Sequence, residues 1–224
     1  MESTPSVSRP ATGLTRWIKE PYCGLSHAFG AVASLIGVAT LMLLTRGGAA
    51  AYIGLTIYGL AAVLLFSASA AAHSLHVNAR IDALLDRLDH AAIFALIAGT
   101  YTPICLTVLH GPWGYSILAI EWSIAALGGL LVLFSRVSVT WIAPLYVPMG
   151  WLVVVATGPL LRLATTATIA WLLIGGVVFT VGAVVFITKR PRLWPGRFGF
   201  HDLWHTMVLI GVGCHFIAIS KVTL

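Results

Sequence analysis

Near the C-terminal end of a strongly apolar chain stands FHDLWH, Phe200–His205. His201 and His205 are four residues apart, so on a helix both project from one face and can chelate a single ion. SAAAH, Ser69–His73, has the same spacing and sets a hydroxyl and an imidazole on one face of another segment. A third imidazole brought to the His201–His205 pair completes a three-nitrogen set. That is the pattern of zinc sites that keep a fourth position open for water or substrate. His73 supplies the third imidazole in this reading; His76 shares its face, one turn nearer a charged stretch, and is the alternative. Zinc lowers the pKa of water toward ~7, and Asp89 is the carboxylate available to orient that water or take its proton. The competing explanation makes one histidine of the pair a hydrogen-bonded core residue and the other an interface residue. It accounts for the pair, but not for a third imidazole with a serine and an aspartate at the same level.

The elements that must position these residues are membrane helices. The chain has 224 residues, of which 59% are hydrophobic and 9% charged, and its mean hydropathy is +0.96. Water-soluble domains carry about 25% charged residues, so a soluble fold is excluded. The expected class is an all-α integral membrane protein with seven transmembrane helices. Apolar runs long enough for a ~30 Å hydrocarbon core fall at about 25–45, 51–76, 90–109, 115–134, 141–161, 167–188 and 202–222. The breaks between them include the charged NARIDALLDRLD, Asn78–Asp89, read as a solvated loop helix with salt bridges, and KRPRLWPGR, Lys189–Arg197. Pro103, Pro144 and Pro148 lie inside spans, which membranes tolerate when neighbours satisfy the freed carbonyls. Residues 1–20 read as a polar, disordered tail and 21–224 as the seven-helix domain. No small-residue cleavage site ends the first apolar run, so it reads as an uncleaved span.

Seven spans put the termini on opposite sides. Arg9, Arg16, Lys19, Arg80, Arg87, Arg136, Lys189, Arg190, Arg192 and Arg197 fall on the N-terminal side; Arg46, Arg162 and Lys221 fall on the other. Ten against three places the N-terminus in the cytoplasm and the C-terminus outside. The formal charge of +6 thus reads as orientation, and no nucleic-acid partner is expected. On this topology His27, His73, His76, His90, His201 and His205, with Glu20 and Asp89, share the cytoplasmic level. His110 lies in an outer loop and His215 about 15 Å further along the seventh span. Ionisable groups inside a membrane are costly and point to function. Glu121, inside the fourth span, is open between ligand binding, snorkelling and a protonated packed state. Trp17, Trp113, Trp141 and Trp194 read as interface anchors. Cys23, Cys105 and Cys214 are scattered, form no disulfide framework and read as small packing groups.

SAAAH, RLDHAAIFALIAGTYTP (Arg87–Pro103) and FGFHDLWHTMVLIGVGCHF (Phe198–Phe216) together resemble the hemolysin III family, bacterial relatives of the progestin and adipoQ receptors that include the adiponectin receptors. LYVPMGW, Leu145–Trp151, is a weaker match. The resemblance covers nearly the whole chain after about Arg16. It implies a seven-helix fold in the bacterial inner membrane and zinc held by His73, His201 and His205. It also implies that Asp89 acts on water at the zinc and that Ser69 lies nearby. Through the alkaline ceramidases of the wider superfamily it implies hydrolysis of an amide in a lipid substrate. One departure stands out: the family's early element carries an asparagine between its glutamate and its Thr/Ser-His pair, and EPYCGLSH (Glu20–His27) has Cys23 there. That removes an amide donor from the support of the site.

Two functions follow, a zinc hydrolase acting on a membrane lipid and a receptor-like or lipid-homeostasis protein with structural zinc and no catalysis. The fourth zinc position separates them: water near Asp89 in the first, a fourth protein ligand in the second. A pore-former is disfavoured because the spans lack polar stripes. A retinal protein is disfavoured because the last span has only Lys221, at its end.

Overall fold

A computed structural model describes residues 19–135, 137–191, 193–194 and 198–224. Most of the expected tail, with Arg9, Arg16 and Trp17, lies outside the described residues, as do Arg136, Arg192 and Arg197. The described chain is all-helical apart from one isolated bridge between Trp194 and Phe198. Seven helical segments are long and apolar enough to cross a membrane. In chain order the elements are α1 (Pro21–Leu44), α2 (Ala49–Ser74), α3 (Ala79–Thr107), α4 (Pro112–Phe134), the short α5 (Val139–Ile142), α6 (Tyr146–Gly150) and α7 (Thr157–Leu163), then α8 (Thr166–Thr188) and α9 (Phe200–Thr223).

Local chemistry sets the helix starts. Pro21 and Pro112 open α1 and α4, where a missing N–H costs nothing. The Asn78 side chain accepts from the amides of Arg80 and Ile81, and Thr165 accepts from Thr168; both are N-caps. The Asn78 cap corrects one expectation. The charged stretch after it is no separate loop helix but the first turns of α3, which runs on unbroken to Thr107. Its charges pair outward, with Asp82 bonded to His76 and lying 3.5 Å from Lys19.

Consecutive helices α1 to α4 pack in sequence, α9 packs on α8, and α9 also returns to α1 and α3. α3 is the hub, with most of its apolar length buried. The largest core cluster joins α1, α2, α3 and α9 through Leu41, Leu55, Tyr58, Phe66, Leu96, Val208 and Ile219. Leu25, Phe29, Leu43, Leu60 and Ile187 are exposed, as lipid-facing side chains must be. Lipid gives helices no hydrophobic reason to associate, so close packing carries the bundle. At Gly54 a Cβ would sit 2.6 Å from the Cα of Pro103, so only glycine lets α2 approach α3 there.

The fifth span is broken. Pro144, Pro148 and Pro159 fall within Ala143–Leu163, which is a series of short α and 3-10 turns. Proline removes helical donors, and α3 and α8 supply partners in exchange. The Tyr101 hydroxyl donates to the carbonyl of Gly150 at 2.9 Å and accepts from the Val153 amide at 2.9 Å. The Trp151 indole donates to Thr180.

Glu121 lies on the buried stripe of α4 with Gly114, Ile117, Ala125, Gly128 and Val132. It is fully buried, so it does not snorkel, and neither carboxyl oxygen has a partner among the described residues. A buried polar group left unpaired costs about 1–3 kcal/mol. Glu121→Leu is therefore expected to stabilise the purified protein by about that amount in reversible unfolding in detergent. A loss of stability of the same size would show that Glu121 has a partner in the membrane.

Candidate metal centre

The centre forms where the start of α1, the end of α2, the third turn of α3 and the first two turns of α9 meet. The segment entering α1 is pinned first: the Glu20 amide donates to the His73 carbonyl at 2.9 Å. Gly24 lets α1 lie against Ser74, whose hydroxyl a Cβ would strike. α9 is aimed by Asp202, whose Oδ2 accepts from the Gly199 amide at 2.7 Å and caps the first turn.

Glu20 then reaches two helices at once. Its Oε2 lies 2.8 Å from His73 Nδ1 and 3.0 Å from His201 Nδ1. The two imidazoles beside it, His201 first, hold the Glu20 carboxyl well below the usual carboxylate range. His205 Nδ1 lies 3.0 Å from His27 Nε2, and both rings are almost wholly buried. Each of the three histidines thus has its Nδ1 edge engaged by a neighbour. That is how metal-binding imidazoles are oriented by a second layer of residues. Their rings pack mutually, with centroids 4.6 Å (His73–His205), 4.7 Å (His201–His205) and 5.1 Å (His73–His201) apart.

The Nε2 edges of the α9 pair fit an ion. His201 Nε2 and His205 Nε2 are 3.3 Å apart. Two nitrogens bound to one tetrahedral zinc at ~2.0–2.1 Å stand about 3.4 Å apart. Two trios of donor atoms lie within 4.8 Å of one another, Cys23 with His201 and His205, and Glu20 with His73 and His201. His201 belongs to both. His73 Nε2 faces Asp89 Oδ2 at 3.4 Å. The Ser69 hydroxyl is buried without a partner among the described residues. A buried hydroxyl in that state is one that a ligand or water would complete.

Of the residues singled out in the sequence, His73, Asp89, His201 and His205 meet here, from the end of α2, the third turn of α3 and the start of α9, and Ser69 lies one turn before His73; neither donor trio holds all three histidines together. His76 does not join them: it lies past the end of α2, its side chain is 65% exposed, and Asp82 holds its Nδ1 at 2.7 Å. His90 turns its Nδ1 to the Asp86 carbonyl. His215 joins α9 to α8 through the Leu172 carbonyl. Spacing and depth missed three roles. Glu20 bridges two imidazoles, His27 backs His205, and Cys23 is part of a donor trio as well as a packing group. Glu20 and His27 shared the right level, but only the backbone bond from Glu20 to His73 shows which way the glutamate turns.

The model of the haemolysin-III related family matches residues 15–216. The chain is a member of the haemolysin-III related family. It is 36% identical over 218 residues to Hemolysin-3 of Bacillus cereus, covering 95% of this chain and 96% of that protein. It is 31% identical over 199 residues to the Hemolysin-3 homolog of Bacillus subtilis, covering 87% and 90%. A shorter likeness, 36% over 56 residues, links this haemolysin-III related chain to the ADIPOR-like receptor IZH2 of Saccharomyces cerevisiae, covering 23% and 18%. Family and fold together make it an integral membrane protein with a cluster of Cys, His and Glu side chains suited to a metal ion.

Proposed function

We propose that this haemolysin-III related protein is a zinc-dependent hydrolase of the bacterial inner membrane that cleaves an amide or ester bond in a membrane lipid. His73, His201 and His205 hold the ion. When bound, zinc supplies a Lewis acid that polarises a carbonyl and acidifies water. Glu20 and His27 fix the imidazole rings. Asp89 takes the proton of the attacking water and returns it to the leaving group. Ser69 offers its free hydroxyl to the reacting carbonyl. What supports catalysis over simple binding is the place of Asp89, whose Oδ2 is 3.4 Å from His73 Nε2 and whose side chain is 14% exposed. A carboxylate beside a ligand nitrogen, still reachable by water, suits a base.

One observation favours the receptor-like alternative with structural zinc: Cys23 offers a fourth protein donor beside His201 and His205. Elemental analysis of the purified protein, joined to lipid profiles of cells with and without the chain, tests the hydrolase. About one zinc per chain and a lipid that falls as its cleavage product rises are expected. Zinc without any change in lipids would favour the structural role, and no zinc would remove both.

The same reading puts the centre at the cytoplasmic side, following the basic asymmetry. A reporter fused after Leu224 should work only outside the cytoplasm. Activity of that fusion in the cytoplasm alone would reverse the orientation.

A further inference from the structure

We propose that Cys23 is a sulfur donor to the ion, competing with water for the fourth position. This rests on the metal reading above and goes beyond it, because it makes access to the reaction depend on a thiol of α1. Cys23 is completely buried, and its Sγ belongs to the trio whose donor atoms lie within 4.8 Å of one another. The other two members, His201 and His205, come from α9, so the sulfur approaches from a different helix. In the described arrangement the thiol donates to Asp202 Oδ1 at 3.4 Å. Asp202 is itself fixed as the cap of α9, so the thiol is held beside the two imidazoles. The unpartnered Ser69 hydroxyl, also buried, lies one turn before His73 on α2 and marks the same centre as one that a ligand completes.

A metal ion takes cysteine as thiolate. As the sulfur–metal bond forms, the S–H proton passes to the Asp202 carboxylate that already accepts it; no electrons change hands. Three imidazoles and one thiolate make a closed tetrahedral site, whereas three imidazoles alone leave one position open. The thiol and the attacking water therefore exclude each other. A soft sulfur also biases the site toward zinc, cobalt and similar ions, away from magnesium and calcium.

Cobalt(II) reads this directly. Purified full-length protein in detergent is stripped of metal and loaded with cobalt(II), and its absorption spectrum is recorded. The wild type is expected to show a near-ultraviolet thiolate-to-cobalt charge-transfer band above the visible bands of tetrahedral cobalt. Cys23→Ser should lose the first and keep the second. The double variant Cys105→Ser, Cys214→Ser, in which Cys23 is the last thiol, should keep both, and this holds even where Cys23→Ser folds poorly. Visible cobalt bands with no charge-transfer band in the wild type or in the double variant overturn the role of Cys23 and leave the imidazole site standing. No cobalt bands in any of the proteins overturn the metal reading and Cys23 with it.

Discussion

Asp89→Asn is expected to keep its metal and to lose lipid turnover by about 10²–10⁴-fold, the range that general acid–base catalysis contributes. The side chain stands beside the imidazole cluster, with Oδ2 3.4 Å from His73 Nε2, but neither donor trio includes it. Asparagine keeps its shape and one acceptor oxygen, so α3 and the packing around His73 should survive. It cannot accept a proton from water, so the chemical step should fail while substrate affinity stays close to that of the wild type. Ser69→Ala is the control for a milder role, because one neutral hydrogen bond is worth about 1 kcal/mol, or less than tenfold in rate. The measurement is turnover of the responsive lipid by purified protein, with metal content determined on the same sample. If Asp89→Asn sheds metal as readily as a histidine variant, Asp89 is itself a ligand and the structural-zinc reading gains. If metal and turnover both stay, the base lies elsewhere.

How far the sequence reaches can be judged residue by residue. Spans are legible because apolar length is set by the bilayer, and each of the seven expected runs overlaps an observed membrane-length segment. Helix ends are less so. Hydropathy stops at the interface, while α3 begins at its Asn78 cap, well before the apolar run, because charged turns in water cost the helix nothing. The prolines of the fifth span were visible, but their consequence depended on the Tyr101 hydroxyl of α3, which serves the broken backbone, and on Thr180 of α8, which receives the Trp151 indole. At the centre, helical period joined Ser69 to His73 and His201 to His205, and depth joined them to Asp89. The bridge made by Glu20 was out of reach. It depends on a backbone hydrogen bond to His73 and on a glycine that lets α1 touch Ser74, and neither follows from spacing. Cys23 illustrates the same limit: its place between Glu20 and the Ser26–His27 pair tied it to the support of the centre, but only α9 set against it brings its sulfur into a donor trio.

Metal affinity should fall in two tiers. His205→Ala and His73→Ala are expected to weaken zinc binding by more than ~100-fold, because that is already the upper range for losing a residue that only supports a ligand. Glu20→Gln belongs in that supporting tier, at about 10–100-fold. Glu20 touches Nδ1 of both His73 and His201, and a neutral amide would orient the two rings less firmly and leave them less basic. His205 stands apart from Glu20 and is backed by His27, so its loss removes a nitrogen directly and leaves His201 without its 3.3 Å neighbour. Competition against a chelator of known affinity, on purified protein in detergent, ranks the variants. Each sample is first checked for a monodisperse elution profile, so that lost affinity is not lost fold. Equal losses in Glu20→Gln and His205→Ala would make Glu20 a ligand in its own right, through the trio it forms with His73 and His201. Full zinc retention in a variant lacking His73, His201 and His205 together would remove the imidazole site altogether.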